Sequence, residues 1–198
     1  MEKSFKDFEF LKKYGGKKLL SIKSIPQWPE NENHVGDEVS LNFIDGTQLV
    51  ITSSFASVDT FFNIDEDVVF NIREDYGYEP SSNISDTKIA TILVDEKPES
   101  ISMYCDEISY VNKKISDKIL LFPIGMFIKT ERRTIGVCRN VLNAFWLEAN
   151  YFDADQSLMY SLDERWGTYD DVDSFIVERK SMEYITGKVK TLEKKQFC

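Results

Sequence analysis

Five oxygen-bearing residues stand out by spacing. Asp153, Asp155, Ser157, Ser161 and Glu164 fall at positions 1, 3, 5, 9 and 12 of a loop, the offsets at which an EF-hand surrounds calcium. Position 6, where such a loop turns sharply on glycine, is Leu158. The residues after Glu164 run into Trp166-Gly167, a poor start for an exiting helix. The five oxygens are the one calcium candidate, and no metal is expected.

Other catalytic chemistry lacks its parts. A serine or cysteine nucleophile needs a base, and the only histidine is His34, in the polar run Glu30-Asn31-Glu32-Asn33-His34 that reads as a loop. Cys105, Cys138 and Cys198 are widely spaced and odd in number, with no C-x-x-C pair. That argues against a disulfide framework and a thiolate zinc site. Glycine-rich phosphate loops, dinucleotide fingerprints and nucleophile elbows are absent. The reading is of a non-enzyme without cofactor. Paired carboxylates among the 34 acids are the one catalytic chemistry left open.

Charge is unevenly placed. The chain carries a net charge of −10 over 198 residues. Residues 1–25 hold seven lysines and three acids, whereas residues 26–110 hold eighteen acids and only Arg73, Lys88 and Lys97 as bases. A second acidic stretch, residues 140–178, has nine acids and one base, Arg165, interleaved with Tyr151, Tyr160, Trp166 and Tyr169. A basic tail follows. Aromatics anchor interfaces and carboxylates steer cationic partners toward them.

These features predict a contact surface made by Asp153, Asp155, Asp163, Glu164, Trp166, Tyr169, Asp170, Asp171 and Asp173. Trp28, Glu30 and Glu32 form a second patch. The expected partner is a basic protein. An immunity or antitoxin-like inhibitor of a basic nuclease toxin has this physical profile. A small-ligand binder or carboxylate-dependent hydrolase with its pocket in a β-barrel is the alternative, and a structural or oligomeric component the third. Basic residues are too scattered for direct nucleic-acid binding. The longest apolar run, residues 119–128, is too short to span a bilayer, and the start lacks an apolar signal segment. A cytoplasmic protein with no membrane association is expected.

These residues must be carried by a β-rich framework. Ser4-Phe5-Lys6-Asp7 reads as a capping box, with Phe5, Phe8 and Leu11 on one face of a helix over 5–14. Strands are predicted at 18–25, 38–44, 47–53, 68–73, 88–94, 100–105, 108–112, 119–122, 126–130, 134–139, 174–179 and 182–192, the last bent at Gly187. Residues 74–86 read as a loop, and 141–150 lean to strand. Around Asp45-Gly46, a three-residue turn pairs Phe43 with Thr47, Leu41 with Leu49 and Val39 with Ile51, giving one apolar face. The fold class is α+β, predominantly antiparallel β, a sandwich or partly open barrel with a short N-terminal helix, in a single domain over 1–198.

Overall fold

The computed structural model describes residues 4–26, 34–60, 63–80, 89–110, 120–139, 147–167 and 175–197. Its strands are β1 (Leu19–Pro26), β2 (His34–Phe43), β3 (Thr47–Thr60), β4 (Asn63–Tyr76), β5 (Ala90–Glu96) and β6 (Ser100–Tyr110). They continue with β7 (Leu120–Lys129), β8 (Thr134–Arg139), β9 (Leu147–Asn150), β10 (Phe175–Glu183) and β11 (Lys188–Phe197). One short helix, α1 (Leu162–Trp166), lies between β9 and β10. Every pairing between these strands is antiparallel.

The sheet forks at β2. One edge of β2 pairs with β1 along most of its length. The other edge is shared: Glu38–Asn42 pairs with β3, and His34–Val35 pairs with β9. One branch runs through β3 to β4, and the other through β9, β8, β7, β6 and β10 to β11. The apolar faces of both branches meet in one core. Leu41, Leu49, Ile51 and Phe70 from the first branch join Ile101, Met103, Ile128, Val137 and Leu147 from the second. Each such fully buried side chain contributes roughly 1.5–3 kcal/mol.

The β2–β3 hairpin has the register that alternation predicts: Leu41 opposes Leu49 and Val39 opposes Ile51. The Gly46 N–H donates to the Phe43 carbonyl at 3.0 Å, and Gly46 sits at φ +82°. Only glycine occupies that left-handed position without strain. The opposite face is not bare, because Ser40 and Gln48 are buried. The segment after β4 straps across it. Gln48 donates to the Tyr78 carbonyl at 2.8 Å and accepts from the Tyr78 N–H at 2.6 Å, while the Tyr78 hydroxyl donates to Glu38.

The expected N-terminal helix is a 3₁₀ helix, Phe5–Tyr14, rather than an α-helix. The spacing explains this. Phe5, Phe8, Leu11 and Tyr14 recur every third residue, and three residues per turn aligns all four on one face. Phe8, Leu11 and Tyr14 are buried, and the Ser4 N–H donates to the Asp7 carboxylate at 2.6 Å.

Several strand boundaries also need correction. The segments 100–105 and 108–112 lie on a single strand, β6, and 119–122 and 126–130 on a single β7. Tyr104 opposes Gly125 but Cys105 opposes Pro123, so Ile124 is the extra residue of a bulge. A proline cannot donate to the ladder, and the bulge accommodates Pro123 inside a central strand. The bend expected at Gly187 is a full turn between β10 and β11, with Gly187 at φ +71°. Glu74–Tyr76 belongs to β4 rather than to a loop. Leu147–Asn150 is strand, as the 141–150 reading leaned, and 141–146 lie outside the described residues.

The β5–β6 turn is tied to the β7–β8 turn by Glu96, which is 8% exposed. Its carboxylate accepts from the Thr130 hydroxyl at 2.6 Å, the Arg132 N–H at 3.2 Å and Arg133 Nε at 3.0 Å. Burial opposes ionisation here, but the hydroxyl, the backbone donor and the Arg133 charge outweigh it and hold the carboxyl below its ordinary value of 4.5. A depressed carboxyl stabilises the fold fully above the unfolded-state value and loses that contribution as pH falls through the folded one. Acidification below about pH 4.5 should therefore lower the melting temperature of the native chain. Glu96→Gln should be less stable at neutral pH and show a shallower acid decline, read by thermal melts from pH 3 to 7.

Candidate partner-binding surface

Residues 151–167 of the second acidic stretch form a cover laid over the outer face of the β6–β7–β8–β10 sheet. Its local structure is set by its polar residues. Asp155 caps a 3₁₀ turn, Gln156–Leu158, by accepting from the Ser157 N–H at 2.8 Å. Ser161 and Glu164 form a capping box at the start of α1: the Ser161 N–H donates to Glu164 at 2.8 Å, and the Glu164 N–H to the Ser161 hydroxyl at 3.3 Å.

Apart from Phe152, the apolar residues of the same segment point inward. Ala154 and Met159 pack with Ile124, Phe127 and Cys138, and Leu162 and Trp166 with Ile108, Phe175 and Val177. The fit is close at Gly136 of β8, where a Cβ atom would stand 2.7 Å from the Ala154 Cβ and 2.9 Å from the Phe127 ring. The cover rests directly on the strand backbone there.

A buried charge cluster fastens it. Asp106 on β6 has no exposed surface. Arg179, directly opposite on β10, donates from Nε at 2.8 Å to one carboxylate oxygen and from Nη2 at 3.0 Å to the other. The Trp166 indole N–H donates to the same carboxylate at 2.9 Å, and Arg165 Nε lies 3.4 Å from it. Arg179 Nη1 also donates to the Tyr160 carbonyl at 2.6 Å. The Tyr160 hydroxyl donates to Glu148 at 2.9 Å, and burial with the neighbouring Glu148 charge pushes the phenol up to about 12. Tyr160, Arg165 and Trp166 of the cover thus converge on strands β6, β9 and β10.

The carboxylates of the cover face outward. Asp153, Asp155, Asp163 and Glu164 are all exposed. The Ser157 hydroxyl and N–H hold the Asp155 carboxyl below its usual range, and the Ser161 hydroxyl and N–H do the same for Glu164. Asp153 accepts from Asn150 at 3.0 Å, and Asp163 pairs with Lys195. The candidate calcium oxygens are therefore engaged with their own neighbouring donors. Among the described residues no group of three or more His, Cys, Asp or Glu side chains could hold a metal ion.

Trp166 requires correction as a contact residue. It is 4% exposed, and its ring meets Phe122 edge-on at 5.6 Å. Trp166 packs on the sheet with Ile108, Phe175 and Val177, so it anchors the surface without belonging to it. Sequence reasoning passed over Phe152, which is 57% exposed beside Asp153 and carries the Arg133 guanidinium 5.6 Å from its ring centre. Its place between buried Tyr151 and Asp153, at the end of β9, was the available signal. Tyr169, Asp170, Asp171, Asp173, Trp28, Glu30 and Glu32 lie outside the described residues.

The first acidic stretch has a different fate. The N-terminal lysines are folded against it: Lys13 pairs with Glu74, Lys17 with Asp45, Lys18 with Asp95 and Lys23 with Glu79. Arg133 pairs with Glu96 and Lys129 with Glu99. Apart from the buried Arg133–Glu96 pair, such exposed pairs add little stability, roughly 0–1 kcal/mol each, but they cancel charge locally.

No known protein family, curated protein or solved structure matches the chain. Among the described residues no helix is long and apolar enough to cross a membrane.

Proposed function

We propose that the chain is a non-enzymatic, protein-binding domain that engages a basic partner through the carboxylates of the 153–164 cover. One observation carries this reading. Among the described residues, Asp45, Glu74, Glu79, Asp95, Glu96, Glu99, Asp106 and Glu107 of the first stretch pair with cations from elsewhere in the chain, whereas of Asp153, Asp155, Asp163 and Glu164 only Asp163 has a cationic partner. The carboxylates are also held in place: the apolar side of the cover is buried and the Asp106 cluster fastens it. A pre-oriented anionic surface attracts a cationic protein with little ordering cost. A basic nuclease toxin is such a partner, and an immunity or antitoxin-like role in the cytoplasm is the corresponding biology.

The alternative, a carboxylate-dependent hydrolase or small-ligand binder, calls for a carboxyl held above its usual range facing a pocket. Among the described residues, each carboxyl with a resolved shift lies below that range: Asp45, Glu74, Glu96, Asp155, Glu164 and Glu178. This favours the binding reading.

The test is charge reversal. Immobilised native chain should retain basic proteins such as nucleases in a salt-sensitive manner. Replacing Asp153, Asp155, Asp163 and Glu164 together with lysine should reduce retention at least tenfold, with circular dichroism unchanged. Retention equal to that of the native chain would remove the site.

A further inference from the structure

Of the cover's aromatic side chains, one is exposed: Phe152, at 57%, between buried Tyr151 and buried Ala154. Its backbone is fixed to β8. The Phe152 carbonyl accepts from the Thr134 N–H at 2.9 Å, and the Ala154 N–H donates to the Thr134 carbonyl at 2.9 Å. The ring is therefore presented outward by a sheet strand. Tyr76, the other exposed aromatic among the described residues, has a polar end, and its hydroxyl donates to Glu74 at 3.2 Å. Phe152 has none, so it gains only by being covered.

A lone exposed apolar residue is ordinary. What singles out Phe152 is the cation on its ring. The Arg133 guanidinium lies 5.6 Å from the ring centre. Arg133 Nε and Nη2 each lie 3.0 Å from the buried Glu96 carboxylate, so little of its charge is left to repel a second cation. More than half of Phe152 stays exposed with Arg133 in place. Asp153, next in the chain, and Asp155 are exposed and pair with no cation among the described residues. A ring that accepts a guanidinium thus adjoins carboxylates whose charge is unmatched.

We infer that Phe152 is the anchor for an arginine side chain of the basic partner, whose guanidinium lies on the exposed part of the ring and whose charge is met by Asp153. This rests on the partner-binding reading above and narrows it from cations in general to arginine. A guanidinium is planar, weakly hydrated and stacks on aromatic faces, whereas a lysine ammonium is a compact, strongly hydrated charge. The carboxylates attract both, and the ring distinguishes them. Arginine is also among the residues that concentrate binding energy at interfaces.

The probes are oligo-arginine and oligo-lysine of equal length, titrated calorimetrically into the chain at low ionic strength. The native chain should bind oligo-arginine at least about threefold more tightly than oligo-lysine. Phe152→Leu keeps an apolar side chain at an exposed position, so its thermal melt should match the native one. It should lose the arginine preference while its affinity for oligo-lysine changes by less than about twofold. Phe152→Tyr, which keeps the ring, should retain the preference. Equal native affinity for the two peptides would overturn the inference and leave the carboxylate surface standing. So would an arginine preference that survives in Phe152→Leu, since it would then come from the carboxylates alone. A native chain that binds neither peptide would remove that surface and the inference with it.

Discussion

Asp106→Ala should destabilise the chain by about 3–5 kcal/mol, the cost of breaking a buried ion pair by removing one partner. Asp106 is wholly buried, and Arg179 and Arg165 beside it are 5% and 7% exposed. Removing the carboxylate takes the counter-charge away from two guanidinium groups in a site that water barely reaches. It also removes the acceptor of the Trp166 indole N–H. The check is a urea titration of native and variant chains, read by circular dichroism. The physical cause can be separated from mere loss of packing. Asp106→Leu combined with Arg179→Met should recover a large part of the loss, since an apolar pair of similar volume is often as stable as the ion pair it replaces. Arg165 remains beside Asp106 in the native chain, so recovery should be incomplete.

The second large effect is expected at Trp166. Trp166→Ala should cost about 3–5 kcal/mol, the range for emptying a large aromatic from a core. The ring fills the small core between α1 and the strands, against Phe122, Phe175 and Val177. Trp166→Phe should cost less, because most of the ring volume remains and the indole N–H bond to Asp106 contributes about 1 kcal/mol net. The ordering Ala worse than Phe, measured by the same urea titration, would locate the effect in packing. Trp166 and Asp106 share one cluster, so the double variant should fall short of the sum of the two. Loss of the cover would also disperse Asp155, Asp163 and Glu164. Trp166→Ala should therefore weaken retention of basic proteins although it removes no charge.

Much of the local structure was legible because it repeats over short distances. The two-residue alternation of Val39, Leu41 and Phe43 against Leu49 and Ile51 fixed one register for the hairpin, since a slip by one residue would turn the apolar set to the wrong face. Thr134–Arg139 emerged with its predicted bounds. The three-residue spacing of Phe5, Phe8, Leu11 and Tyr14 was also on view, although the capping signal led to an ordinary helix. For the candidate surface, the acids of 153–164 were legible from composition, and the capping pairs Asp155–Ser157 and Ser161–Glu164 lie within three residues of each other.

Sequence by itself determined the β-rich character, this hairpin and the position of the acidic stretches along the chain. Tertiary structure decided which of the described acids meet a cation from a distant part of the chain. Lys13 reaches Glu74 and Lys23 reaches Glu79 only because β1 and the N-terminal 3₁₀ helix pack against the branch carrying β2, β3 and β4. Trp166 turns inward because Asp106 and Arg179, distant from it in sequence, are brought together by the β6–β10 pairing. Periodicity specifies which face of an element is apolar. It carries no information about which distant element will cover that face or neutralise its charges, because that depends on strand order and on pairings far apart in the chain.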